Sequence, residues 1–500
     1  MKLLSPNDFE RTFAPADGAK GVSLTLIGVS IMSVANTHYG YEAIGKMMAN
    51  SKKVFFIGIG GISMSSLASM TKKRGFVVAG SDRTKTALTE SLERQGIDVV
   101  YEQTGGAVVD ADMVVYTVAI SPDNADYVTA KENGIPCVSR ADYLGYLMMG
   151  FSLRVGISGT HGKSSTTAMC ADILMQAQTD PTVLCGAEVP SIGGAYCCGD
   201  NDSFIVFEAC EYQDSFLDFY PNMAVVLNIE LDHVDYFSNI EQIRNSFSVF
   251  ADKCGEDGYV IANADDENCM EAFANTRSQL VTFGLSDEAD FRAVNIRTER
   301  GFPTFDVFYG GEMLCADIRL FVSGEHSIYN ALAAFAASFL CGIEVEDIKA
   351  GLAAFRGAHR RSEFVGKVNG ADVFDDYGHH PTEVRTTLDG FRSRGYERLY
   401  CVFQPHTYSR TRGFMTELCA SFDAVDEVIF ADIYAARETD TLGMSASLLA
   451  QETANGKYVG GMTDICEYLR STLTEGDAVI IMGAGDINKL FPMLGLDYKI

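Results

Sequence analysis

The stretch GISGTHGKSSTT, Gly156 to Thr167, constrains this chain more than any other. It follows the apolar run Leu153–Val155 and leads into Ala168–Met175, whose apolar residues recur at helical spacing. Strand, glycine-rich turn and helix in that order make a phosphate cradle. N–H groups of the turn and helix face an anion, a lysine reaches it, and a hydroxyl ligates Mg²⁺. Gly159 and Gly162 supply the turn, Lys163 the cation and Ser164 the hydroxyl. The generic pattern GxxxxGK[ST] wants glycine at position 157, where this chain has Ile157, so the chemistry is present although the pattern fails. A turn that merely starts a helix has no need of Lys-Ser directly behind its second glycine. The expectation is an α/β chain built around a nucleotide-phosphate site.

With 500 residues the chain is too long for one core, and about 150 residues per domain suggests three. A net charge of −28 argues against a nucleic-acid partner, which needs a basic face, and is read as simple solubility. The 13 cysteines are scattered without any CxxC, as reduced thiols in a cytosol would be. Gly21–Asn36 is mildly apolar but shorter than the roughly 20 residues of a membrane span. Asp8, Glu10 and Asp17 before it are wrong for a signal peptide. Residues 1–50 are therefore read either as a short accessory segment of unknown role or as lying upstream of a natural start at Met47 or Met48, the second being preferred.

From Lys53 the chain alternates strands and helices. Lys53–Ile57 runs into Gly58-Ile59-Gly60-Gly61-Ile62-Ser63-Met64, close to GxGxxG but with Ser63 in place of the last glycine. Asp82 follows the second strand at the distance where a ribose hydroxyl is held in such βαβ units. These features predict a doubly wound domain over 51–150 that binds a nucleotide-like ligand. In the second domain, 151–362, Phe204–Phe207 delivers Glu208 at a strand end, and Met223–Leu227 delivers Asn228, followed by Glu230, Asp232, His233 and Asp235. Carboxylates near a phosphate loop suit Mg²⁺, although a solvated acidic loop with an incidental histidine would read the same. A β-hairpin turning at Gly310-Gly311 is expected between Asp290 and Leu320. A helix follows in which His326 and Asn330 share a face. In the third domain, 363–500, four strands end at Asp375-Asp376-Tyr377-Gly378-His379-His380, Gln404-Pro405-His406, Ala431-Asp432 and Gly483-Ala484-Gly485-Asp486, again a Rossmann-like sheet.

Taken together, GIGGISMS, SGTHGKSSTT, FEACEYQDSFL, NIELDHVD, GEHSIYNALAA, RRSEF, DDYGHHPTEV, FQPHTYSRTR and GAGDI resemble the Mur ligase family over residues 53 to about 490. In that family the cradle reads GTxGK[ST], without the first glycine. The resemblance implies a Rossmann-like N-terminal domain, a central P-loop ATPase-type mixed-sheet domain and a Rossmann-like C-terminal domain. It implies a cytoplasmic, peptidoglycan-building ligase, monomeric or homodimeric, with no nucleic-acid or membrane partner. Its substrates would be UDP-N-acetylmuramate, L-alanine and ATP with Mg²⁺, and the alternative is the recycling branch that attaches a whole tripeptide.

Laid on this sequence, the resemblance puts Gly60, Gly61 and Met64 around the diphosphate of the UDP substrate and Asp82 toward its uridine. ATP would meet Gly159, Thr160, His161, Gly162, Lys163, Ser164 and Ser165, with His326 and Asn330 on its adenine side, Arg361 on its phosphates and Asp376 nearby. Ser164 would bind a first Mg²⁺, and Glu208 with His233 a second. Tyr377, His379 and Arg410 would surround the alanine, and His379 is the candidate general base. Lys163, Glu208, His233, Arg361 and His379 form the expected catalytic set. The cradle has Lys-Ser rather than the commoner Lys-Thr, and the turn before the His326 helix lacks the proline many relatives carry. Thr407 stands where some alanine-adding relatives have an arginine, which leaves Arg410 more of the carboxylate's grip. No lysine lies between Asp232 and Ala251, so a carbamylated lysine at the second metal is not expected.

Overall fold

The computed structural model describes residues 34–498 apart from 234, 235, 437, 441 and 442, which leaves Asp235 outside the described residues. Three sheets organise them. The first has five parallel strands in the order Asp98–Val100, Val77–Ser81, Lys53–Ile57, Met113–Tyr116, Cys137–Ser139. Chain direction across the sheet reverses at Lys53–Ile57, so a crevice opens at that strand's C-terminal end, at Gly58–Gly61. Val54, Phe55, Phe56 and Ile57 are all buried, which is why this strand reads as an unbroken apolar run.

Residues 34–49 pack against this unit. The helix Gly40–Ala49 lays Ile44 and Met48 into the core beside Tyr143 and Leu147. Buried Asp142 accepts from Thr37 Oγ1 at 2.9 Å, Tyr39 N at 2.7 Å and Gly40 N at 3.1 Å. A chain beginning at Met47 would lose Ile44 and leave that carboxylate without these partners. Most of Gly21–Asn36 lies outside the described residues.

The central sheet has ten strands. Parallel strands Gln279–Gly284, Tyr259–Asn263, Met223–Val226, Leu153–Ser158, Phe204–Glu208 and Thr182–Val189 form its middle. Register pairs Ile157 with Glu208 and Ser158 with Val226, so the cradle, Glu208 and Asn228 emerge along one edge. Beyond Gln279–Gly284 the chain forms three strands, Phe291–Glu299, Phe302–Tyr309 and Glu312–Arg319, rather than the single hairpin expected. The missed turn is Arg300-Gly301, where both residues have positive φ. Helices Lys163–Gln176, Glu325–Leu340 and Val345–Ala354 cover the sheet. A Cβ on Gly351 would sit 2.4 Å from Ile173 Cα, so only glycine permits that helix contact.

The third sheet has six strands in the order Glu363–Val368, Ala371–Asp376, Ala478–Met482, Leu399–Phe403, Glu427–Phe430, Gly456–Lys457, two more than sequence suggests. Only the first pair is antiparallel. The two missed strands are the edges: one is mostly half-exposed or exposed, and the other is two residues long. All thirteen cysteines are free. Among the described residues no helix is long and apolar enough to cross a membrane.

Candidate active site

The strand Leu153–Ser158 hands over to the helix Lys163–Gln176 through a turn closed by Gly162, at φ 85°. A Cβ on Gly162 would lie 2.5 Å from Asn330 Oδ1, so the glycine also makes room for Asn330. No side chain caps this helix, which leaves its first N–H groups to a ligand. Thr160 and His161 are tied to the neighbouring strand end. Thr160 N donates to Asn228 O at 3.2 Å, Glu230 N to Thr160 Oγ1 at 2.9 Å, and His161 N to Asn228 Oδ1 at 2.8 Å.

Lys163 folds back over the turn. Its Nζ donates to Gly159 O at 2.6 Å and Thr160 O at 3.1 Å, and lies 3.1 Å from Glu211 Oε2. Burial works against its charge, but the fully buried Glu211 carboxylate overrides burial and raises its pKa. Glu211 also lies 3.4 Å from His233 Nε2. The carboxylate beside His233 is thus Glu211, which the sequence does not single out. Glu208 faces the next strand, where its Oε1 accepts from Gly186 N at 2.5 Å and Cys185 Sγ at 3.3 Å. Glu208 Oε2 has no donor among the described residues, which suits a cation ligand. Cys210, Glu211 and His233 bring possible ligand atoms within 4.8 Å of one another. Glu211 stands three residues past Glu208 in FEACEYQDSFL, but nothing in its spacing marks it as Lys163's partner.

A cavity opens beside the cradle, between the central unit and the third sheet. His161, Gly162, Ser165, Asn228, Glu230, His326 and Asn330 line one side, and Arg361, Asp376, Thr382 and Glu383 the other. His326 is half-buried with a buried, unpartnered Nδ1, and desolvation pulls its pKa down to about 4, so it offers a neutral ring. Asp376 accepts from Ser362 N at 2.8 Å and Gly378 N at 2.7 Å, so it shapes the turn as well as lining the cavity. Arg361 Nη1 lies 3.8 Å from Glu383 Oε1, and its guanidinium is 5.3 Å from the Tyr377 ring.

His379 Nδ1 faces Tyr377 O at 3.2 Å. Burial, against the pull of Glu383, brings its pKa down to about 4, so it is neutral near pH 7. Arg410 reaches back to Asp232. Thr407, at φ 60°, caps the short helix carrying Arg410 by accepting from Arg410 N.

Around the first crevice, Gly60 N donates to Asp82 Oδ2 at 2.8 Å, so Asp82 braces the glycine turn. Gly61 starts the helix Ile62–Lys73 with no side-chain cap. Met64 has its side chain buried in the core, so it can face a diphosphate only with its backbone in the first helical turn. Arg140, unremarked in the sequence, donates from Nη1 to Ser63 Oγ at 3.0 Å at the same helix start.

Residues 53–152 match the Mur ligase family catalytic domain, 157–338 the Mur ligase middle domain, and 360–485 the glutamate ligase domain of Mur ligases. The chain is 44% identical over 449 residues to UDP-N-acetylmuramate–L-alanine ligase of Clostridium acetobutylicum, covering 89% of this chain and 97% of that protein. It is 44% identical over 450 residues to the ligase of the same name in Lachnospira eligens, covering 88% and 97%. Among solved structures, the UDP-N-acetylmuramate-alanine ligase of Thermotoga maritima superposes with TM-score 0.74 at 26% identity, covering 89% of this chain and 98% of that one. A murein peptide ligase from Psychrobacter arcticus shares the fold, at TM-score 0.65 and 24% identity.

Proposed function

The chain belongs to the Mur ligase family, and from that premise we propose that it joins L-alanine to the lactyl carboxylate of UDP-N-acetylmuramate, using ATP. The observation that carries this reading is the placement of the Lys163 cradle. It opens on a cavity whose far wall comes from the third sheet, so a nucleotide and an amine can be presented from opposite sides. The recycling alternative is not favoured, because the curated relatives at 44% identity bear the alanine-adding name.

A carboxylate is a poor electrophile because oxide is a hopeless leaving group. Transfer of the γ-phosphoryl group of ATP to the carboxylate gives ADP and an acyl phosphate. The alanine amine attacks its carbonyl carbon, the tetrahedral intermediate expels phosphate, and the nitrogen gives up a proton. No protein nucleophile is needed. The cradle N–H groups and Lys163 position the phosphoryl group, and Lys163 and Arg361 balance its charge in line with the acceptor oxygen. Ser164, Glu208 and His233, with Glu211 behind Lys163 and His233, are the residues that would hold Mg²⁺. Bound there, the ion would neutralise phosphate charge and orient the carboxylate. His326 and Asn330 face the adenine side. Gly60, Gly61 and Asp82 form the UDP end, with Arg140 beside them. Neutral His379 can accept the amine's proton, and Arg410 faces the alanine carboxylate. Closure of the third domain on the cradle keeps water from the acyl phosphate.

The test is ADP release with ATP, Mg²⁺, UDP-N-acetylmuramate and each amino acid or tripeptide in turn. Release that needs both the sugar nucleotide and free alanine supports the proposal. Release that ignores either, or prefers the tripeptide, overturns it.

A further inference from the structure

Glu383 is the third residue of the helix Pro381–Arg392, and its two carboxylate oxygens face different neighbours. Oε2 accepts from His379 N at 3.1 Å and His380 N at 3.4 Å, closing the helix start, and lies 3.6 Å from His379 Nδ1. Oε1 turns the other way, across the domain boundary, and lies 3.4 Å from His161 Nδ1 and 3.8 Å from Arg361 Nη1. The other ring nitrogen of His161 is 3.6 Å from Glu230 Oε2, which itself accepts from Thr382 Oγ1 at 2.7 Å. The His380 ring completes the surroundings of His161, with ring centroids 4.5 Å apart. His161 is part of the phosphate turn, and its backbone N–H and C=O are both taken by the Asn228 side chain.

We propose that Glu383 is a positioning residue that couples docking of the third domain to the phosphate turn, acting through His161. The inference rests on the ligase reading for its substrates but on geometry for its link. A glutamate at this helix position serves as a cap in many proteins, and a cap needs only one acceptor oxygen. Here the second oxygen stands at the nucleotide cavity and faces His161 and Arg361. One carboxylate therefore holds the turn that presents His379 and the turn that presents Lys163. When the domains part, His161 keeps Glu230 but loses Glu383, and the turn loses its outer brace.

Glu383→Gln separates the two roles, because the amide oxygen can still cap the helix while the negative charge toward His161 is gone. E383Q should melt close to wild type yet turn over 10- to 100-fold more slowly. H161N should show a similar loss, and the double variant no more than the larger single loss. In E383Q the alkaline limb of the kcat profile should move to lower pH, since Glu230 alone then supports the charge on His161. A purely structural cap would not move that limb.

Single losses that multiply in the double variant, or E383Q activity within twofold of wild type, overturn the proposal. If E383Q is not recovered folded, H161N decides: turnover within twofold of wild type overturns it. The same cycle read as the Kd of ADP with Mg²⁺ needs neither alanine nor the sugar nucleotide. Non-additive Kd changes alongside failed alanine-dependent turnover would leave the coupling standing and sink the ligase reading alone.

Discussion

Arg410 Nη2 lies 2.7 Å from Asp232 Oδ1, a contact that joins the short helix Tyr408–Gly413 to the strand-end loop carrying His233. Burial alone would raise Asp232, but Arg410, and then His233, hold its carboxyl well below the usual range. Arginine has five N–H donors, so one can stay on Asp232 while others grip a substrate carboxylate. Thr407 offers no second cation here. R410A should therefore raise the KM for alanine by about 10- to 100-fold, matching the ~1.5–3 kcal/mol of a charge-assisted hydrogen bond. The KM for UDP-N-acetylmuramate should move less than about threefold on the same scale. Steady-state kinetics with each substrate varied in turn decide this, and equal rises in both constants would remove Arg410 from the alanine site.

Lys163 and Glu211 form the second testable pair. K163A should abolish turnover while UDP-substrate binding, measured calorimetrically, persists. The first crevice shares no side chain with the cradle. E211Q removes the carboxylate paired with the Lys163 ammonium and leaves it with neutral acceptors, Gly159 O, Thr160 O and the new amide oxygen. Breaking a buried pair from one side costs on the order of 3–5 kcal/mol, so E211Q should lower the melting temperature as well as turnover. Lys163 variants that also lose UDP-substrate binding would point to a different site layout.

The histidines set opposite pH dependences. Burial disfavours the charge on His161, but Glu230 and Glu383 outweigh burial and raise its pKa to about 9. A raised pKa means that the folded form holds the proton more tightly. The stabilisation is complete below the ordinary value of 6.5 and is lost as pH climbs through about 9. His379 is the reverse. Its pKa is pulled down to about 4, so the unfolded chain takes up the proton first, and stability falls as pH drops from 6.5 toward 4. The melting-temperature gap between wild type and H161N should be constant near pH 6 and close above pH 9. A gap independent of pH would show that His161 is not charged in the fold.

Much of this was legible because strand ends are where open α/β sheets place their ligands. Glu208, Asn228 and Asp376 could be found from apolar runs that stop at a polar residue. The phosphate turn needed only local chemistry. Long-range partners were not legible. Glu211 meets Lys163 and Glu383 meets His161 across folded distance, and no period or spacing announces such pairs. Met64 shows a related limit. A residue at a helix start can face a ligand with its backbone while its side chain points into the core, and sequence does not separate the two. The edge strands Glu363–Val368 and Gly456–Lys457 were lost because neither carries a buried apolar run.

The segment before the first strand gives the last prediction. Asp142 sits at the start of the helix Arg140–Met148, 1% exposed, and its described hydrogen bonds all come from Thr37, Tyr39 and Gly40. Ile44, 0% exposed, packs into the same core. A chain begun at Met47 forfeits about 1.5–3 kcal/mol for Ile44. It also leaves a buried carboxylate without donors, at about 1–3 kcal/mol or more. For a domain near 100 residues, each kcal/mol shifts melting by roughly 4–8 °C. The first domain of the Met47 chain should therefore unfold at least about 10 °C below that of a chain beginning at Val34. Its affinity for the UDP substrate should fall with it, because Arg140, which donates to Ser63 at the crevice, stands in the same helix start as Asp142. Calorimetry of the two chains side by side measures the difference, and coincident transitions would show that the segment adds nothing to the fold.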